Sequence, residues 1–278
     1  RKEFFSKTYF DATTGKTAFR GKIIDTQTSY VLPLAFNILN GNLKHAALKN
    51  LIATLTRENI TDEGVVCPPY SLMTGFIGTA WISKVLSDNG YSGHAYKLLQ
   101  QTTYPSWIYP VEQGATTIWE RLNSYTLTDG FGKNNSMNSF NHYAFGAVGA
   151  WMYNSSLGID ADENSPGFKH FFLRPEPDPT GSMTFARGHY DSMYGRIESS
   201  WEIHEGSLHI RFVVPANTTA TAYLPVNNQQ EIACNGKKPT VIKGVRLLGN
   251  ENDKVRYRLS SGEYHFSTPY ESKGSCKR

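Results

Sequence analysis

The sequence predicts a multidomain α and β chain, with helices over residues 1–165 and an antiparallel β-sandwich over residues 166–278. Three observations predict it. Apolar residues recur at helical spacing in the first part. They alternate at period two in the second. Between them stand Pro166-Gly167 and then the Pro-rich run LRPEPDPTG at Leu173–Gly181.

The helices follow in order. Asp25–Leu39 places Tyr30, Leu34 and Ile38 on one face, and Leu43–Thr56 does the same with Leu43, Ala47, Leu48, Leu51 and Leu55. A loop with Gly64 and Pro68-Pro69 separates these from Thr74–Leu86, whose apolar set is Phe76, Ile77, Ala80, Trp81, Val85 and Leu86. Asn89-Gly90 is a helix stop, because both residues tolerate the left-handed backbone that ends helices. His94–Gln101 is a further helix, closed by Pro105, and Ile118–Leu122 and Phe140–Tyr153 complete the set. Gly146, Ala147, Gly149 and Ala150 suit the last of these to close packing. The helices read as antiparallel pairs with short connections. Six of them make half of an (α/α)6 toroid, whose other half is expected upstream of Arg1. A chain opening on Arg1 rather than Met reads as the middle of a longer polypeptide.

In the second part, SSWEIHE at Ser199–Glu205 and LHIRFVV at Leu208–Val214 form a hairpin about Gly206. ATAYLPV, EIACNGKKPT, KGVRLLG and SGEYHFS are further short strands, a spacing that suits a sandwich.

Composition excludes several roles. With 39% hydrophobic and 19% charged residues there is ample material for a core. A net charge of +4 without any dense basic run argues against nucleic-acid and membrane-surface partners. No apolar run approaches the roughly 18–20 residues of a membrane span. Cys67, Cys234 and Cys276 form no CxxC pair, and the histidines show no HxxxH spacing, so neither a disulfide framework nor a metal site is expected. The acidic run Asp160, Asp162, Glu163, Asn164 lacks the glycine and terminal glutamate of a calcium loop and reads as a solvated turn. No dinucleotide fingerprint or nucleophile elbow is present, and no cofactor is called for. Sequons at Asn59, Asn134, Asn154 and Asn217 permit glycosylation without requiring it.

Chemistry concentrates in GATTIWERLN, Gly114–Asn123, and NSFNHYAFGAVGAW, Asn138–Trp151. Glu120 stands between Trp119 and Arg121, and His142 follows in the first turn of the next expected helix. A carboxylate among aromatics is suited to activating water against a sugar, and Arg121 would keep it ionised. A solvated Glu120 paired with Arg121, and a hydrogen-bonded structural His142, are the plainer readings. Trp107, between the prolines of YPSWIYP, is either a rigid sugar platform or core filling.

Seven ordered motifs go further: TGFIGT (Thr74–Thr79), LSDNGY (Leu86–Tyr91), YPSW (Tyr104–Trp107), GATTIWER (Gly114–Arg121), MNSFNHYAFGAVGAW (Met137–Trp151), PGFKHF (Pro166–Phe171) and VPANTTATAYLP (Val214–Pro225). Together they resemble the α-L-rhamnosidases of glycoside hydrolase family 78, from about residue 8 to about residue 226. The resemblance implies an (α/α)6 catalytic barrel, a C-terminal β-sandwich, and hydrolysis of terminal α-L-rhamnose from glycosides or polysaccharides with inversion. It implies that Glu120 is the general base, that His142 contacts the sugar, and that Trp107 and Trp119 stand near the pocket.

The same resemblance puts the general acid in an upstream segment, a needed partner, and implies that residues 1–278 alone are inactive. It also implies export to the cell exterior or periplasm. Two further readings are a non-catalytic carbohydrate-binding relic of this fold and a related toroid hydrolase acting on another sugar.

Overall fold

The computed structural model describes residues 1–61, 64–132, 136–226 and 231–270. Asn134 and Cys276 lie outside the described residues. The chain divides into two compact units, Arg1–Val148 and Gly149–Arg278.

The first unit is helical, with two short ribbons. Helix α1 (Lys2–Tyr9) leads into the ribbon β1 (Ala18–Phe19) and β2 (Lys22–Ile23). Helix α2 (Gln27–Ala35) starts later than Asp25 because Thr26 and Ser29 form a capping box that fixes its first turn. It buries Tyr30, Val31 and Leu34. Helix α3 (Gly41–Thr56) buries Ala47, Leu48, Leu51 and Leu55, four of the five residues read as its inner face. Each leucine fully removed from water contributes about 1.5–3 kcal/mol. The loop around Gly64 contains a second ribbon, β3 (Asn59–Ile60) with β4 (Val66–Cys67).

Helix α4 (Gly75–Asp88) ends at Asn89, and Gly90 has φ +81°, as the Asn-Gly stop predicts. Its inner face departs from the expected one. Gly78, Thr79, Ile82, Ser83, Val85 and Leu86 are buried, whereas Ile77 is 69% exposed. The reason is Gly78: a Cβ there would stand 2.2 Å from Thr28 Oγ1, so α4 meets α2 through its glycine and turns Ile77 outward. Helix α5 (Ser92–Gln100) follows, and then α6 (Ile108–Glu112), which begins within YPSWIYP, where the sequence offered no helix.

The helix expected at Ile118–Leu122 does not form. The backbone there is satisfied across the chain: Glu120 N–H donates to the Ser139 carbonyl at 2.8 Å, and His142 N–H donates to the Ile118 carbonyl at 2.8 Å. Those partners replace the bonds a helical turn would need. For the same reason the helix expected from Phe140 starts later, and His142 precedes it. A 3-10 turn at Ala144–Ala147 leads into α7 (Val148–Trp151) and then a π-helical turn at Met152–Ser156. A Cβ on Gly146 would press on Ile118 at 3.3 Å, but one on Gly149 would meet nothing within 4 Å. Close packing therefore explains only the first of these glycines.

The second unit holds two five-stranded sheets. In chain order its strands are β5 (Ile159–Ala161), β6 (His170–Leu173), β7 (Phe185–Ser192), β8 (Gly195–His204), β9 (Ser207–Val214), β10 (Thr219–Leu224), β11 (Ala233–Cys234), β12 (Val245–Glu251), β13 (Lys254–Leu259) and β14 (Gly262–Pro269). One sheet runs β12-β13-β10-β6-β5, the other β11-β14-β9-β8-β7. The pairings are antiparallel except β6 with β10, which is parallel. The β8–β9 hairpin turns at Glu205 and Gly206, whose φ of +50° and +72° suit a tight hairpin. Along β9, Leu208, Ile210, Phe212 and Val214 face inward, a period-two pattern. Tyr257 of one sheet and Phe266 of the other meet at 5.8 Å between ring centroids, which places the core between the sheets. Asp162 accepts from Asn164 N–H at 3.0 Å within the solvated turn.

Candidate active site

The first unit carries an open cleft of about 850 Å³. Its lining comes from the start of α2, the end of α3, the loop into α4, the segment before α6, and the stretch Glu120–Asn123.

Glu120 opens into this cleft, its side chain 17% exposed. One carboxylate oxygen, Oε2, accepts from Ser139 N–H at 3.0 Å. The other, Oε1, faces His142 Nε2 at 4.0 Å, longer than a direct hydrogen bond. His142 Nδ1 accepts from Ala144 N–H at 3.3 Å, so a neutral ring carries its proton on Nε2. The fold therefore brings Glu120 and His142 together with defined polarity. Arg121 lines the same cleft.

The two tryptophans occupy a different layer. Trp119 is 6% exposed and packs edge-on to Phe140 at 5.1 Å. Trp107 donates its indole N–H to the Phe145 carbonyl at 2.8 Å. Both brace segments that carry cleft residues. The aromatic side chains that line the cleft are Phe76, Tyr104 and Phe145.

Three cleft groups escaped the sequence reading. Gln27 is buried and clamps the loop before α4: its Nε2 donates to the Ser71 carbonyl at 2.9 Å, and its Oε1 accepts from Met73 N–H at 2.9 Å. Phe76 sits at the mouth of α4, stacked on the His142 ring at 4.8 Å. Asp25 anchors the rim through Arg57 at 3.0 Å, Lys16 at 2.9 Å and the Tyr30 hydroxyl at 2.6 Å. Burial lifts the Asp25 carboxyl, but Tyr30, Lys16 and Arg57 together outweigh it and hold it below the ordinary carboxylate value. A carboxyl held ionised in this way is unsuited to general-acid work. The one available signal for Asp25 was its place directly before a Thr-x-x-Ser capping pair.

Among the described residues, no group of three or more His, Cys, Asp or Glu could hold a metal ion. No helix among them is long and apolar enough to cross a membrane.

Comparisons agree across sequence and structure. Residues 1–156 match the family described as the bacterial alpha-L-rhamnosidase 6 hairpin glycosidase domain, and residues 158–238 match the bacterial alpha-L-rhamnosidase C-terminal domain. An alpha-L-rhamnosidase of Formosa agariphila is 39% identical over 253 residues, covering 90% of this chain and 26% of the relative. One from an Alteromonas species is 34% identical over 262 residues, covering 94% and 25%. The crystal structure of Streptomyces avermitilis alpha-L-rhamnosidase complexed with L-rhamnose superposes with a TM-score of 0.78 at 32% identity, covering 96% of this chain and 23% of that one. The enzyme from Dictyoglumus thermophilum gives 0.76 at 29% identity, covering 96% and 27%. The chain thus spans about a quarter of the length of these relatives. With both of its units matched in order, and with a helical unit followed by a two-sheet sandwich, this chain belongs to the bacterial α-L-rhamnosidase family.

Proposed function

We propose that this chain is the base-bearing part of an inverting α-L-rhamnosidase that removes terminal non-reducing α-L-rhamnose from glycosides or polysaccharides. Glu120 takes a proton from the attacking water, and His142 contacts the sugar. The observation that carries the reading is the Glu120 carboxylate itself. It opens into the cleft, one oxygen is fixed by Ser139 N–H, and the other is turned toward His142. A general base needs a fixed, accessible carboxylate with a free lone pair toward the substrate. Trp107 and Trp119 act from behind the cleft wall, holding the segments of Phe145 and Glu120 in place.

An inverting glycosidase needs a second carboxyl as general acid. Asp25, held ionised, does not suit that part. We assign the acid to a region of the relatives that lies outside this quarter of their length, and residues 1–278 alone are then inactive. The working enzyme meets its substrate outside the cytoplasm.

Glu120→Gln in the full-length protein tests this reading with an aryl α-L-rhamnoside. The expected loss is at least about 10²–10⁴ in kcat. Proton NMR of the first product should show the β-anomer. Near-normal turnover by the variant rejects the assignment, and α-rhamnose as first product rejects inversion.

A further inference from the structure

The His142 ring is held on several sides. The residue's backbone N–H donates to the Ile118 carbonyl, the ring's Nδ1 accepts from Ala144 N–H, and the ring's face lies on Phe76 with ring centroids 4.8 Å apart and planes 29° from parallel. Tyr143 stacks on it as well, at 5.3 Å, but is 85% exposed. Phe76 is much better anchored. Its neighbour Gly75 has φ +59°, which suits glycine, and the preceding backbone is gripped by Gln27. The edge of Phe145 meets Phe76 at 5.5 Å. Phe76 also lines the cleft in its own right.

We propose that Phe76 is the positioning residue for His142. The hydrogen bond to Nδ1 fixes which nitrogen carries the proton, but it leaves the ring free to tilt about that contact. The stacked phenyl face sets the plane, and the plane decides whether Nε2–H is presented beside Glu120 Oε1. A hydroxyl placed there accepts from Nε2–H while donating to the carboxylate. Phe76 thus works on the sugar through His142, and its effect appears in substrate binding.

This inference rests on the reading of Glu120 and His142 given above, and a double-mutant cycle separates the two. Phe76→Leu, His142→Ala and the double variant are made in the full-length protein and assayed on 4-nitrophenyl α-L-rhamnoside. A lost ring stack should raise KM about 2- to 10-fold with a smaller change in kcat. Phe76→Tyr, which keeps the stacked ring, should recover most of the KM that Phe76→Leu loses. In the His142→Ala background, Phe76→Leu should raise KM by less than it does in the parent, because the group it positions is gone. If Phe76→Leu yields no folded protein, Phe76→Met carries the same cycle. Multiplicative effects in the double variant, or an unchanged KM in Phe76→Leu, overturn the proposal. Full turnover by Glu120→Gln removes the reading beneath it instead.

Discussion

Ser139 and Glu120 hold each other by two hydrogen bonds: Glu120 N–H donates to the Ser139 carbonyl at 2.8 Å, and Ser139 N–H returns to Glu120 Oε2 at 3.0 Å. The backbone bond fixes where the residue stands, and the side-chain bond fixes where its carboxylate points. Glu120→Asp keeps the first and, one methylene shorter, loses the second. We expect a fall of about 10²-fold in kcat, since misplacement by about 1 Å costs that much. An unchanged far-UV spectrum beside the kinetic loss is the check. Parental turnover by the Asp variant contradicts the fixed-carboxylate reading.

Asp25 has a pH-dependent part in stability. Its folded pKa lies below the unfolded value of 3.8, so its contribution is complete above that value and fades as pH falls through the folded pKa. Asp25→Ala leaves the buried Tyr30 hydroxyl without its acceptor, a loss of about 1–3 kcal/mol at pH 7. Equilibrium denaturation of both proteins should show that gap at pH 7 and a smaller one at pH 3. A gap that is constant or widens at low pH contradicts this.

Gly158 is a position where no other residue fits. Its φ is +75°, and an added Cβ would stand 2.1 Å from Pro175 N and 2.2 Å from the Arg174 carbonyl carbon. Backbone cannot yield as a flexible side chain does. Gly158→Ala should lower stability by more than about 2 kcal/mol, read as a lower midpoint in chemical denaturation of the sandwich. An unshifted midpoint would mean that the Gly158–Pro175 approach relaxes freely.

The buried thiols should be inert. Cys67 and Cys234 are fully buried, and burial raises both, Cys234 to about 11. Thiolate is the reactive form, so neither presents it at neutral pH. Iodoacetamide at pH 8 followed by peptide mapping should leave both unmodified in the native protein and alkylate both in guanidinium. Alkylation of native Cys234 at the rate of a free thiol would show that its strand opens readily.

Legibility in the sequence followed where each segment finds its partners. Helix α3 and strand β9 bury one regular face, so local period alone reveals them. Helix α1 is eight residues long and buries none of them, and β7 is largely exposed, so neither presents a buried face long enough to be read from period alone. Ile118–Glu120 looked helical because its backbone partners, Ser139 and His142, lie some twenty positions away. The site divides in the same manner. Glu120 and His142 stand inside motifs dense enough to announce themselves. Asp25, Gln27 and Phe76 reach the cleft from elements that only folding brings together.

The clamp at Gln27 has a consequence for how such a cleft can change. Its amide grips the carbonyl of Ser71 and the N–H of Met73, atoms every residue but proline supplies at the second position. It is indifferent to the side chains it holds in place. Leu72 is buried and packs into the wall, but Met73, half-buried and lining the cleft, can be exchanged without loosening the clamp that presents it. At Met73 the wall is a fixed frame with a replaceable surface, where the shape of the cleft can change without its frame moving.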